Sequence, residues 1–185
     1  HEVTGRNGQP LFIGSYGIWH GSEQNAQKIT FEKSELTDEQ KGAFKKRLAE
    51  DKRRADAEQK RRAESAARKA ESLWRKLPTD GHAAYLDRKA VGAFGVRFTS
   101  KNAIAIPLLD ASGRIHGLQF ILDKANHKAE IDKNGGRDKQ FWPPGLTKKG
   151  HFHLIGGTPS TVLLVAEGYA TAASLHMATG LPVAI

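Results

Sequence analysis

The sequence contains no cysteine and a single methionine among its 185 residues. Without cysteine it forms no disulfide and no thiolate zinc site. No apolar run approaches the roughly 20 residues that a membrane-spanning helix needs, and the nearest, Thr161 to Ala166, is strand-sized. The first residues, His1-Glu2-Val3-Thr4-Gly5, lack the basic, apolar and small regions of a secretory signal. These absences give the expectation of a cytoplasmic protein with no membrane partner. Apolar residues are only 38% of the chain, so part of it should stand in water. That part is easy to find, because Glu50 to Arg62 carries no apolar side chain larger than alanine. A coiled-coil seam is excluded there, since its a and d positions need large apolar residues.

What the chain has in excess is positive charge, a net +9 with pI near 9.8. Such an excess points to a polyanionic partner. Most of it is local: Lys41 to Lys76 holds fourteen basic and six acidic residues, a net of +8. A basic helix that tracks nucleic acid and a solvated helix of mixed charge are both compatible with this segment.

The organisation predicts an α+β chain of small antiparallel sheets, one long basic helix and a closing β-α-β unit. Residues 1–36 read as a small β-rich module, with strands at Leu11-Phe12-Ile13, Tyr16 to Trp19 and Lys28 to Glu32 and with Trp19 and Phe31 as anchors. Residues 37–77 read as a helix or linker, opened by the capping box Thr37-Asp38-Glu39-Gln40 and free of proline until Pro78. Its end should dock through Ala63, Ala66, Ala70, Leu73, Trp74 and Leu77, spaced three and four apart. Residues 78–158 form the next division. Here we expect a helix from Asp80, as cap, to Val91, a hairpin of Ala103–Leu109 and Arg114–Leu122 around Asp110-Ala111-Ser112-Gly113, and strands at Lys139–Trp142 and His151–Ile155. Residues 159–185 predict a buried strand Val162–Ala166, a helix from Tyr169 to Thr179 and a second strand from Pro182, which implies a parallel pair. The second strand has only begun at Ile185, so this fold is expected to be incomplete as given.

The sharpest chemical feature is Glu167-Gly168 at the carboxyl end of that first strand. Open α/β sheets place their ligands at such a crevice, and glycine there lets the chain turn tightly and lets a phosphate approach. An exposed turn acid is the plain alternative. Lys139, Lys148, Lys149 and Arg97 are candidate phosphate contacts, and Trp142, next to Phe141, is a candidate for stacking on a base. Solvated charges and a packed loop anchor are the alternatives for these. His151 and His153 alternate along one predicted strand and would supply half a metal site, with no third ligand in view. His176 is read as structural or exposed.

Four passages in order resemble a known family. Val165-Ala166-Glu167-Gly168-Tyr169-Ala170-Thr171-Ala172-Ala173, continuing to Pro182-Val183, resembles the opening of the Toprim domain in phage and plasmid primases. Tyr85-Leu86-Asp87-Arg88 with Gly95-Val96-Arg97-Phe98, and Pro107-Leu108-Leu109-Asp110 with Gly113 and Gly117, resemble passages of bacterial replicative primases. Asp138-Lys139-Gln140-Phe141 and Lys148-Lys149-Gly150 resemble two lysine motifs that line the nucleotide and template channel. The resemblance covers roughly Pro78 to Val183, and Ile121 stands near where cellular primases close the hairpin with arginine.

The resemblance implies part of a DNA-dependent RNA primase, a nucleotidyltransferase of a mobile element acting in replication or conjugation. Single-stranded DNA and ribonucleoside triphosphates would be its partners, with a helicase or relaxase domain or subunit alongside. Glu167 would be the Toprim acid, acting at the transferring phosphate or helping to organise Mg2+ or Mn2+. The later Asp-x-Asp of a complete site would lie past Ile185, so Glu167 alone leaves the metal site incomplete and the chain by itself inactive. The rival reading is a non-catalytic nucleic-acid- or partner-binding module on a Toprim-like scaffold.

Overall fold

Thr37 starts the longest element: its carbonyl accepts from the Lys41 N–H at 2.9 Å, and helix α1 then runs Asp38–Lys76. Asp38 and Glu39 in the first turn and Arg75 and Lys76 in the last complement the helix dipole. The computed structural model describes residues 2–4, 10–12, 15–16, 27–28, 37–159 and 161–185, and the chain divides into two units, His1–Ala57 and Glu58–Ile185. In the first unit, β1 (Glu2–Thr4) pairs antiparallel with β2 (Pro10–Phe12), and β3 (Ser15–Tyr16) with β4 (Gln27–Lys28). The expected anchors Trp19 and Phe31 lie outside the described residues.

The second unit is built on a four-stranded antiparallel sheet in the order β5 (Arg97–Phe98), β6 (Ile104–Leu109), β7 (Ile115–Ile121), β8 (Lys139–Trp142). The hairpin between β6 and β7 falls at Asp110 to Gly113, as expected, with Gly113 at φ 81° in the left-handed region its turn requires. Central β6 is buried over five successive residues, Ile104 to Leu108. α1 docks through Ala66, Ala67 and Ala70, which are 2%, 1% and 0% exposed, so its backbone comes close to its neighbours. Arg97 closes that helix. Its Nη1 donates to the carbonyls of Trp74 at 2.5 Å and Leu77 at 3.1 Å, and its guanidinium lies 4.7 Å from the centre of the Trp74 ring.

A short helix α2 (Ala84–Lys89) follows, starting four residues later than expected and without a side-chain cap from Asp80. The cause is tertiary. The Pro78 carbonyl accepts from Phe98 N–H at 3.0 Å, and a Cβ on Gly81 would sit 2.6 Å from Phe98 Cγ, so this stretch crosses the Phe98 ring instead of coiling. Helix α3 (Lys128–Lys133), which no sequence signal had led us to expect, packs Ile131 with Ala103 and Leu122.

A small mixed sheet completes the unit, in the order β10 (Leu164–Val165), β11 (Val183–Ala184), β9 (Leu154–Ile155). β10 and β11 are parallel and joined by α4 (Tyr169–Thr179), whereas β9 runs antiparallel to β11. β9 begins at Leu154 rather than His151, because Phe152 exchanges backbone bonds with Leu109 at 2.7 and 2.9 Å and so links the two sheets. The expected buried strand at Val162–Ala166 is not buried. β10 is an edge with one neighbour, and Val162, Leu163 and Val165 are 48%, 43% and 77% exposed. One core nevertheless spans both sheets, with Phe98, Ile104, Ile121, Ile155, Tyr169 and Val183 among its members. The fold is therefore mixed α+β, and no described helix is long and apolar enough to cross a membrane.

Candidate nucleic-acid interface

The edge strand β8 alternates exposed Lys139 and Phe141 with half-buried Gln140 and Trp142. Just before it, Gly135 and Gly136 take φ values of 65° and 77°, a left-handed pair that only glycine adopts without strain. Asn134 locks this turn: its Nδ2 donates to the carbonyls of Arg137 at 3.0 Å and Lys139 at 3.3 Å. The turn thereby sets Arg137 and Lys139 on one groove of about 700 Å3, together with Lys133, Lys148 and Phe141. Lys148 Nζ lies 4.6 Å from the centre of the Phe141 ring, a cation–π contact on an exposed aromatic face. The one acid on the groove wall, Glu130, is engaged by Lys101 at 3.5 Å. Its carboxyl sits below its ordinary range, first because a backbone N–H stabilises the charge and then because Lys101 does. The groove is thus cationic, with an aromatic wall.

The turn carrying Glu167 is held next to it. Gly168 is the N-cap of α4, and no side chain caps the helix there. A Cβ on Gly168 would lie 4.0 Å from Lys139 Nζ, so this ammonium reaches from the groove to the strand-to-helix turn. Glu167 is exposed there. The uncapped first-turn N–H groups and the Lys139 ammonium give this corner a positive character.

What fixes the turn is Tyr169, the first residue of α4. Its hydroxyl accepts from Phe94 N–H at 2.6 Å and donates to the Gly92 carbonyl at 2.9 Å. Burial pushes the Tyr169 phenol up to about 12. The Phe94 carbonyl also accepts from His153 Nε2 at 3.0 Å, and burial holds the His153 imidazole below its ordinary range, so it is neutral at pH 7. Sequence reasoning did not find this clamp. The available signal was a tyrosine opening a helix whose next five residues, Ala170 to Ser174, are small.

The structure brings together Lys139, Lys148, Gly168 and the turn of Glu167. It does not bring Arg97 to them, since both Arg97 bonds end on the carbonyls closing α1. Lys149 is exposed but does not line the groove. Trp142 faces away from the groove, into a hollow shared with α1. His151 and His153 part company: the His151 ring stacks on His116 with centres 4.0 Å apart, whereas His153 is in the Phe94 clamp. His176 is structural, its Nδ1 donating to the Leu181 carbonyl at 2.8 Å and its ring edge meeting Phe94. Among the described residues no group of three or more His, Asp or Glu side chains is arranged to hold a metal ion. Glu167 supplies one carboxylate, so these residues do not by themselves fit a magnesium ion.

Compared with models of known families, with curated proteins and with solved structures, the chain matches none.

Proposed function

We propose that this chain is the template- and nucleotide-binding part of a DNA-dependent RNA primase of a phage or plasmid, with Glu167 as its Toprim acid. The observation that carries the reading is the position of Lys139, whose ammonium lies at once on the cationic groove and beside Gly168. Two motifs picked for separate reasons, a lysine on a strand and an acid after another strand, then serve one site. Arg137, Lys139 and Lys148 would neutralise backbone or triphosphate oxygens, and Phe141 would offer a face to a base. Glu167 would act at the transferring phosphate, as acid or base, in the complete Toprim fold that the β10-α4-β11 unit opens. Binding and positioning are what this chain's own residues supply, and in phosphoryl transfer these two effects carry much of the rate.

The direct test is primer synthesis on single-stranded DNA by the intact protein. Glu167→Gln should abolish synthesis and leave DNA affinity unchanged, whereas Lys139→Ala should weaken binding. Synthesis at the normal rate by Glu167→Gln removes the primase assignment. The second reading, a non-catalytic binding module, is favoured by the absence of any metal-holding acid set among the described residues. It predicts that Lys139→Ala weakens DNA binding while Glu167→Gln changes nothing.

A further inference from the structure

We propose that a single-stranded polynucleotide seated in the Lys139 groove continues across the edge of β8, places one base in a hollow against Trp142, and then runs onto the basic face of α1. This path rests on the nucleic-acid reading of the groove and extends it to a second phosphate-binding stretch and a base subsite. Three adjoining hollows define it, all within the second unit. The Lys139 groove shares Gln140 and Phe141 with a hollow of about 330 Å3, walled further by Phe120, Leu122, His127 and Trp142. That hollow shares Trp142 with a third, of about 470 Å3, formed by α1 residues including Arg68, Lys69, Leu73 and Lys76.

The chemistry alternates along the path. The outer hollows are lined by cations, Lys133, Arg137, Lys139 and Lys148 on one side and Arg68, Lys69 and Lys76 on the other. The middle hollow has aromatic and aliphatic walls with Thr99, Ser100, His127 and Gln140 as neutral polar neighbours, its one cation, Lys101, is paired with Glu130 at 3.5 Å, and its size suits a small planar ligand. His127 donates Nδ1–H to the Asp123 carbonyl at 3.2 Å, which holds its ring in the wall of the hollow. Phosphates outside and a base between is the pattern of a single strand whose base can splay out, and it is closed to a duplex with paired, stacked bases.

The α1 cations are held in place. Ala66, Ala67 and Ala70 bury the opposite face of the same turns, and neither Arg68, Lys69 nor Lys76 forms an ion pair among the described residues. A helix docked in this way presents its charges in a fixed row, unlike the first half of α1, where the side chains are almost all exposed. The loop that carries the path from β8 to α1 is closely fitted, since a Cβ on Gly145 would lie 3.4 Å from Arg62 Cβ and one on Gly117 would lie 3.1 Å from Leu146.

The test is binding of labelled single-stranded DNA of two lengths, about 4 and about 16 nucleotides, to the chain and two variants over a salt series. Arg68→Ala/Lys69→Ala/Lys76→Ala should weaken the long oligonucleotide roughly tenfold or more and lower its salt slope by about 2, at about 0.7 for each phosphate no longer neutralised. It should leave the short one unchanged, whereas Lys139→Ala weakens both. A single abasic position in the long oligonucleotide should cost affinity at one place along the strand and not at others. If the triple variant weakens both lengths equally or neither, or if abasic sites act uniformly, the path is wrong although the groove still binds through Lys139. If Lys139→Ala itself changes neither length, the groove reading fails first. All three α1 positions are exposed or at the surface of the hollow, so loss of folding is checked by an unchanged thermal midpoint.

Discussion

Two edge strands of the second unit, β8 and β10, belong to different sheets and are finished in opposite ways. β8 presents Lys139 and Phe141, with a lysine laid on the ring, whereas β10 presents Val165, 77% exposed, and then Glu167. Charge on an edge strand discourages pairing with another chain. At β8 the same charges line a groove, so protection and the proposed binding would use one set of residues. β10 has no such charges and draws its order from behind, through the Tyr169 clamp on Gly92 and Phe94. The candidate acid Glu167 is thus positioned by a buried neighbour two residues on, while Lys139 is positioned by its own strand and turn.

The largest expected effect comes from breaking the clamp. Tyr169→Phe strands the Phe94 N–H and the Gly92 carbonyl in a partly buried place and should destabilise the second unit by roughly 2 to 3 kcal/mol, read by urea unfolding. A loss below about 0.5 kcal/mol would mean that the hydroxyl does not hold the turn. Alkaline titration sharpens this. The phenol is raised from 10 to about 12 in the folded state, so its contribution is full below pH 10 and is lost as pH rises through about 12. That loss should be roughly 2 to 3 kcal/mol in the native chain and missing from Tyr169→Phe.

These contrasts also mark what could be read from the sequence. β8 and α4 matched their expected bounds because each has a local signal, the aromatic pair Phe141-Trp142 stopped by Pro143-Pro144 and an alanine-rich run after Gly168. Lys139, Lys148 and Glu167 were each legible as candidates, whereas their meeting depends on a sheet crossing that no local pattern reveals. What stayed hidden is tertiary in origin. Arg97 looked like a phosphate ligand because a lone arginine on a strand is silent about the two helix-end carbonyls awaiting it. The run Val162–Ala166 looked buried because apolar composition marks a strand and says nothing of whether it is central or at an edge.

A middle-sized effect concerns acid. The His153 imidazole is held below its ordinary 6.5 by burial, so the unfolded chain takes up that proton first. Its contribution is therefore full above pH 6.5 and is lost as pH falls toward the lower folded value. His153→Gln keeps a donor for the Phe94 carbonyl and cannot titrate, so its unfolding free energy should fall less steeply as pH drops below 6.5 than that of the native chain. Parallel slopes would assign the acid sensitivity elsewhere, with His151, also lowered by burial, as the next group to replace.

The smallest effect belongs to the bare edge. Val165→Lys should change folding stability by no more than about 0.5 kcal/mol, because the side chain is already in water. Larger losses by thermal unfolding would show that β10 is covered in solution.

The central claim is that Lys139 binds phosphate at the groove beside Glu167, and it is tested most directly by titrating single-stranded DNA against the chain and Lys139→Ala from low to high salt. The account predicts weaker binding by the variant, with a salt slope smaller by about 0.7 and an unchanged melting temperature. Identical affinity and slope for the two proteins would contradict it, and would leave Lys139 as an edge charge that only keeps β8 from pairing.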